Sequence, residues 1–209
     1  MSGMIRETAG DGSESLEAIM IQPPNFNMVE LGVYRSGFPQ PANFAYLRTL
    51  RLRSIIYLCM EPYPEEQMSF LNNTNIKLFQ FGIKGKTEAA VSIPQGTLLN
   101  ALITLLDERN HPVLIHCNGG KHRTGCLVGC FRKLLNWRLE SVLEEYQRFA
   151  GAKSRKSDVD FIGSFDVMSL RHSLYNIIYS YQCFVSNKRS LISLYDGTVP
   201  KPRIISNWN

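Results

Sequence analysis

Residues 116–125 read His-Cys-Asn-Gly-Gly-Lys-His-Arg-Thr-Gly, and within them five residues separate Cys117 from Arg123. A thiol and a guanidinium at that spacing suit chemistry on a phosphate-like anion. A glycine-bearing loop that runs into a helix can curl so that its main-chain N–H groups converge on one point. Arg123 then adds a fork of donors that matches two phosphate oxygens. Whatever stabilises a bound phosphate there also stabilises a thiolate, the reactive form of Cys117. A thiolate beneath a phosphoryl group is a nucleophile placed for in-line displacement. Cys117 and Arg123 are therefore expected to be catalytic. His116 would fix the loop and the thiolate by hydrogen bonding, and Thr124 would donate its hydroxyl to the departing sulfur. Asn118, Gly119, Gly120, Lys121 and His122, together with Arg123, are expected to hold the anion.

Such a loop needs a strand before it and a helix after it. Val113–His116 (VLIH) is a short apolar run between the Asn110-His111-Pro112 break and Gly119-Gly120, and reads as a buried strand. From Thr124 to about Trp137 the pattern is helical, with Leu127, Cys130, Phe131, Leu134 and Leu135 turned inward. A second helix over Leu139–Ala150 carries Leu139, Val142, Leu143, Tyr146 and Phe149 on one stripe. Upstream, Ala42–Arg51 reads as helix and Ser54–Leu58 as strand. A short helix over Glu65–Leu71 is closed by the polar run Asn72–Asn75, and Ile76–Phe81 alternates as a strand. Pro94–Arg109 is the clearest helix, with Leu98, Leu102, Leu105 and Leu106 on one face. Alternating strands and helices predict an α/β fold, a central mainly parallel sheet flanked by helices. The chain has no internal repeat and no low-complexity block.

The 209 residues are 44% hydrophobic and 20% charged, which excludes a disordered or collagen-like chain. One domain with tails is expected: a mobile arm over 1–24, a core domain over 25–170, and an extension over 171–209. In that extension Ser173–Val185 is either an extra helix or a divergent tail. Lys and Arg total 23 against 18 Asp and Glu, a net charge of +5 that permits an anionic partner without calling for nucleic acid. Met1–Gly12 is polar, so no signal peptide is expected, and no apolar run suggests membrane insertion. Five cysteines, an odd number without dense spacing, read as free thiols in cytoplasm or nucleus. Cys126 and Cys130 read as core; a disulfide from either, or from Cys59, to an oxidised Cys117 is the alternative. His111, His116, His122 and His172 are scattered, so no metal and no cofactor is predicted.

The HC-x5-R-[ST]-G loop resembles the signature of cysteine-dependent phosphatases, and GKHRTGCLVGC is similar to that of the plant and fungal atypical dual-specificity phosphatases. Val33–Pro41, Glu61–Glu66, Ile76–Gly82, Asn110–Cys117 and Glu145–Ala150 look like blocks of the same family. The resemblance implies a compact dual-specificity phosphatase fold. It also implies release of the β-phosphate of a diphosphoinositol polyphosphate, at ring position 5, through a phosphocysteine. A phosphate leaving group departs without a strong general acid. In keeping with that, the segment matching the family's acid loop, Ile83–Val91, has no Asp and only Glu88 as a carboxylate. Ile83, Lys84 and Lys86 are expected to line the substrate site, with solubility on a turn as the plainer reading of the two lysines. Lys153, Arg155 and Lys156 read as an exposed turn. Two departures stand out: Gly119 occupies a position where the family carries a basic residue, and Thr87–Ala90 replaces a Lys-Glu-Pro-Phe-like segment. A protein or phosphoinositide phosphatase and a low-turnover phosphate-binding module are the competing readings.

Overall fold

The computed structural model describes residues 20–84 and 94–196. Among the described residues, five strands form one sheet: β1 (Asn27–Glu30), β2 (Val33–Ser36), β3 (Ser54–Tyr57), β4 (Lys77–Gln80) and β5 (Val113–His116). Their order is β1-β2-β5-β3-β4, with β1 antiparallel to β2 and the other pairs parallel. The helices are α1 (Phe44–Thr49), α2 (Glu65–Thr74), α3 (Gln95–Leu106), α4 (His122–Leu134), α5 (Leu139–Ala150), α6 (Lys156–Ser164) and α7 (Val167–Asp196).

Side chains alternate across a pleated strand, and the sheet uses both faces. Ile55 and Leu114 point toward α1 and α2, where Leu47, Phe70 and Leu71 close one core. Ile56, Val113 and Ile115 point the other way into the larger core, built by Leu98, Leu102 and Leu105 of α3 and Leu127, Cys130, Phe131 and Leu134 of α4. Both faces being covered explains why the runs SIIY and VLIH are buried at every position and mostly apolar. A third cluster joins Cys126 of α4 to Val142 and Tyr146 of α5 and Ile162 of α6.

The structure extends several sequence expectations. The strands β1 and β2 carry no clean apolar alternation, because Arg35 and Ser36 are buried at positions where a polar pattern suggests solvent. Helix α2 runs past Leu71 into the polar residues, where the Thr74 hydroxyl bonds the Phe70 carbonyl at 2.7 Å and Asn75, at φ +55°, ends the helix. Pro94 stands just before α3 rather than inside its first turn, and Glu108–Asn110 forms a separate 3-10 turn. The expected boundary at residue 170 falls inside α7, whose Leu174, Ile178, Tyr181 and Val185 lie in the main core. Most of the expected N-terminal arm lies outside the described residues. Its last part is tied down: the Gly37 N–H donates to the Pro24 carbonyl at 2.6 Å and the Asn43 amide to that of Ile21 at 3.1 Å. Among the described residues, no helix is long and apolar enough to cross a membrane.

Candidate active site

Strands β2, β5 and β3 run parallel and end level, Ser36 and Tyr57 both pairing with His116. Ligands of open α/β sheets gather at such carboxyl ends. The chain leaving β5 there is the loop 117–121, which opens directly into α4 at His122. Cys117 sits on its floor, 3% exposed.

Three of the loop's carbonyls are held by donors from other parts of the chain, while that of Lys121 accepts the Gly125 N–H at 3.0 Å as the first bond of α4. The Asn118 carbonyl accepts from the Phe38 N–H at 2.9 Å. The Gly120 carbonyl accepts from Arg35 Nη2 at 2.9 Å and from Asn25 Nδ2 at 3.2 Å, and the Asn25 amide also reaches the Gly119 carbonyl at 3.4 Å. A trans peptide places its N–H opposite its C=O, so carbonyls held outward turn the N–H groups toward the loop's interior. The first N–H groups of α4 add to that convergence, having no partners within the helix. Gly120 makes the curl sterically allowed. Its φ is +65°, and a Cβ there would stand 2.4 Å from the Ser36 carbonyl carbon.

Arg35 is the main clamp, and sequence reasoning missed it. It is 1% exposed, its guanidinium lies 3.8 Å from the Phe149 ring centroid, and its Nη1 is 3.9 Å from Glu145 Oε1. Glu145 is shared, since Arg132 Nε donates to its other oxygen at 2.8 Å. Burial pulls the Arg35 pKa down to about 10, with the charges of Glu145 and Cys117 opposing that fall. The signal in the sequence was Tyr34-Arg35-Ser36, a basic residue inside a family block, but its role depends on distant partners.

His116 is fully buried among the rings of Phe38, Tyr57 and Tyr63, and its Nε2 lies 3.1 Å from the Tyr63 hydroxyl. Burial drives its pKa down to about 3 against the opposing Cys117 main chain, so the imidazole is neutral. It therefore brings no charge to the loop, and its Nδ1 has no hydrogen-bond partner among the described residues, so the expected hydrogen bonds to loop and thiolate are not seen. On the β3 side, the Cys59 thiol donates to Asn118 Oδ1 at 3.3 Å, and burial pushes that thiol's pKa up, keeping the donor proton in place. Thr124 has a buried hydroxyl with no hydrogen-bond partner among the described residues. Leaving such a group unpaired costs about 1–3 kcal/mol, and an acceptor arriving at the loop would recover it.

Arg123 donates from Nη1 to the Ile83 carbonyl at 3.1 Å. That bond joins the anion loop to buried Ile83 and places exposed Lys84 beside it. Lys86 and Glu88 lie outside the described residues. Lys121 is half-buried, while Asn118 and Gly119 are exposed. A Cβ at Gly119 would meet only Lys121 Cγ, at 3.8 Å, so the missing basic side chain has room to stand there. His122 Nδ1 is 2.9 Å from Asp158 Oδ2. Lys153 and Lys156 are exposed as expected. Arg155 is not part of a plain turn: it is half-buried and its N–H donates to the Tyr146 hydroxyl at 3.2 Å.

All five cysteines are free, and only Cys183 is exposed. Among the described residues no cluster of three or more His, Cys, Asp or Glu could hold a metal ion. The surface clefts lined by Lys77, Phe79 and Arg109, and by Met28, Leu31 and Arg189, lie away from Cys117. Neither is lined by a cysteine, so it is the chemistry at the sheet's end that marks the site.

A family model described as the tyrosine phosphatase family matches residues 20–184. The inositol diphosphatase DSP3 of Arabidopsis thaliana is 56% identical over 186 residues, covering 88% of this chain and 92% of that protein. Inositol diphosphatase DSP5 of the same plant is 56% identical over 197 residues, 94% of each. The core catalytic domain of the PP-IP phosphatase SIW14 from Saccharomyces cerevisiae, solved with citrate, superposes with a TM-score of 0.71 at 46% identity, over 75% of this chain and 94% of that one. With its Cys-x5-Arg loop at the end of a mostly parallel sheet, the chain belongs to the tyrosine phosphatase family, in the plant and fungal atypical dual-specificity branch.

Proposed function

We propose that this protein is a cysteine-dependent hydrolase of diphosphoinositol polyphosphates that removes the β-phosphate, at ring position 5, without a metal. The observation that carries the reading is the loop itself: three successive carbonyls, Asn118 to Gly120, held by donors from elsewhere in the chain, a buried Cys117 at its start and Arg123 in the first turn of α4. Similarity over more than nine-tenths of the length of two proteins named inositol diphosphatases supplies the substrate class.

In the first step the Cys117 thiolate attacks the β-phosphorus in line. The S–P bond forms, the bridging P–O bond breaks, and its electron pair leaves on the α-phosphate as an inositol phosphate monoester. Charge on the transferring oxygens is met by the loop N–H groups and Arg123, which act most strongly in a water-poor site. The leaving phosphate is stable as an anion, so Glu88 is not required as an acid. In the second step water attacks the phosphocysteine, the S–P bond breaks, and inorganic phosphate departs. Thr124 donates its hydroxyl to the sulfur that leaves as a thiolate. Arg35 and Asn25 hold the loop's shape. Lys84 and Lys121 attract the remaining phosphates, and the enzyme works in the reducing cytoplasm or nucleus, which suits its free buried thiols.

The test is phosphate release, without metal, from diphosphoinositol pentakisphosphate, a phosphotyrosine peptide and a phosphoinositide, with Cys117→Ser beside the wild type. Turnover of the first substrate alone, lost in Cys117→Ser, is expected. Preference for the peptide or lipid would move the substrate to those classes, and absence of any turnover would leave a phosphate-binding module.

A further inference from the structure

His122 belongs to the anion loop by sequence, yet one side of its ring is engaged elsewhere. Its Nδ1 lies 2.9 Å from Asp158 Oδ2, in the first turn of α6. The same oxygen accepts the Tyr146 hydroxyl at 2.7 Å, and that hydroxyl accepts the Arg155 N–H at 3.2 Å. Burial alone would raise the Asp158 carboxyl. Hydrogen bonds from His122 and Tyr146 and the charges of His122 and Arg155 overcome it and hold the group below the usual carboxylate range. An ionised carboxylate can only accept, so Nδ1 carries a proton and Nε2 is the ring's variable nitrogen. Nε2 makes no hydrogen bond to a described residue, and the side chain is 20% exposed. A neutral ring offers a lone pair there, which a phosphate oxygen repels. A protonated ring offers an N–H.

We propose that Asp158 is a positioning residue for substrate recognition, clamping His122 through Nδ1 so that the doubly protonated ring presents Nε2–H to a phosphate of a polyanionic substrate. The proposal rests on the reading of the Cys117 loop as a polyphosphate site and extends it to α6. The grip is then strong in mild acid and fades in alkali. Among the described residues, the groups facing this ring and its carboxylate are Asp158 of α6, Arg155 just before it, Tyr146 of α5 and Cys126 of α4. Asp158 is the one carboxylate among them, so its removal takes away the acceptor that holds Nδ1–H and orients the ring.

The test uses the Cys117→Ser protein, which binds without turnover, titrated calorimetrically with inositol hexakisphosphate at about pH 6 and about pH 8.5, either side of the ordinary histidine range. At the lower pH, adding Asp158→Asn or His122→Gln should each weaken binding about tenfold, the worth of one charge-assisted hydrogen bond. At the higher pH each should differ from the parent by less than about twofold, since the parent has lost the same bond. Comparing proteins at a single pH cancels the titration of the ligand's own phosphates. Equal weakening at both pH values, no weakening at the lower one, or no binding by the parent overturns the proposal. A readout free of folding defects is the ring nitrogen spectrum of His122 in the parent, taken at a pH where the free protein shows Nε2 unprotonated: added hexakisphosphate should bring Nε2 toward its protonated position, and an unmoved signal there overturns the proposal. Failure of the functional reading shows separately, as wild-type protein that releases no phosphate from diphosphoinositol pentakisphosphate.

Discussion

The adjacent glycines of the anion loop should respond oppositely to the same small change. At Gly120 a Cβ would lie 2.4 Å from both the carbonyl carbon and oxygen of Ser36 and 2.5 Å from the Gly37 nitrogen, and the φ of +65° is one that alanine resists. The opposing atoms are main chain at the end of β2, which is fixed on both sides by β1 and β5. Since ordinary contact begins near 3.4 Å, the loop must retreat by about 1 Å. A displacement of that size at a reacting centre costs about 10²-fold in rate. The left-handed conformation adds roughly 1–2 kcal/mol, or a Tm lowered by about 2–8 °C in a chain of this size. At Gly119 the same Cβ meets only Lys121 Cγ at 3.8 Å, so Gly119→Ala should keep kcat/KM within about twofold and leave Tm unchanged. The assay is steady-state phosphate release beside thermal unfolding. Wild-type kcat/KM in Gly120→Ala, or equal losses in the two variants, would refute the reasoning about the loop.

Gly119→Arg should lower KM for an inositol pyrophosphate by about threefold with kcat unchanged, because an exposed cation at the rim helps binding more than chemistry; a raised KM would count against a polyphosphate rim. Arg35→Met should destabilise the protein by about 3 kcal/mol in urea unfolding, since it leaves Glu145 to Arg132 alone and the Gly120 carbonyl without its buried donor. His116 makes stability depend on pH. Its folded pKa is about 3 against about 6.5 unfolded, so the contribution is complete above pH 6.5 and is lost as pH falls toward the folded value. Between those limits the wild type should lose about 1.4 kcal/mol per pH unit more than His116→Gln, as read from urea midpoints at a series of pH values.

The reactive loop was legible because its chemistry is local: Cys117, the glycines, Arg123 and the flanking strand and helix all sit within one short stretch. The strands β3 and β5 announced themselves by apolar runs buried on both faces. What holds the loop was not legible, because it comes from elsewhere in the chain. A buried arginine such as Arg35 looks like a surface residue until Glu145 and the Phe149 ring are known to lie against it. Asp158 sits in the polar stretch Lys156-Ser157-Asp158, with nothing in its neighbours to mark it, and gains meaning only when α6 packs on α4. Helix α7 was ambiguous for another reason. Its stretch 173–185 mixes buried Leu174, Ile178 and Tyr181 with exposed Tyr175, Ile177 and Tyr179, which blurs the helical stripe.

The account stands on covalent transfer of the β-phosphoryl group to Cys117. Its most direct test is a rapid acid quench of the enzyme turning over β-labelled diphosphoinositol pentakisphosphate, followed by mass mapping of the labelled peptide. The label should appear on the peptide bearing Cys117 before free phosphate accumulates, and should be absent from Cys117→Ser. Phosphate released at full rate with no label ever on that peptide would contradict the account.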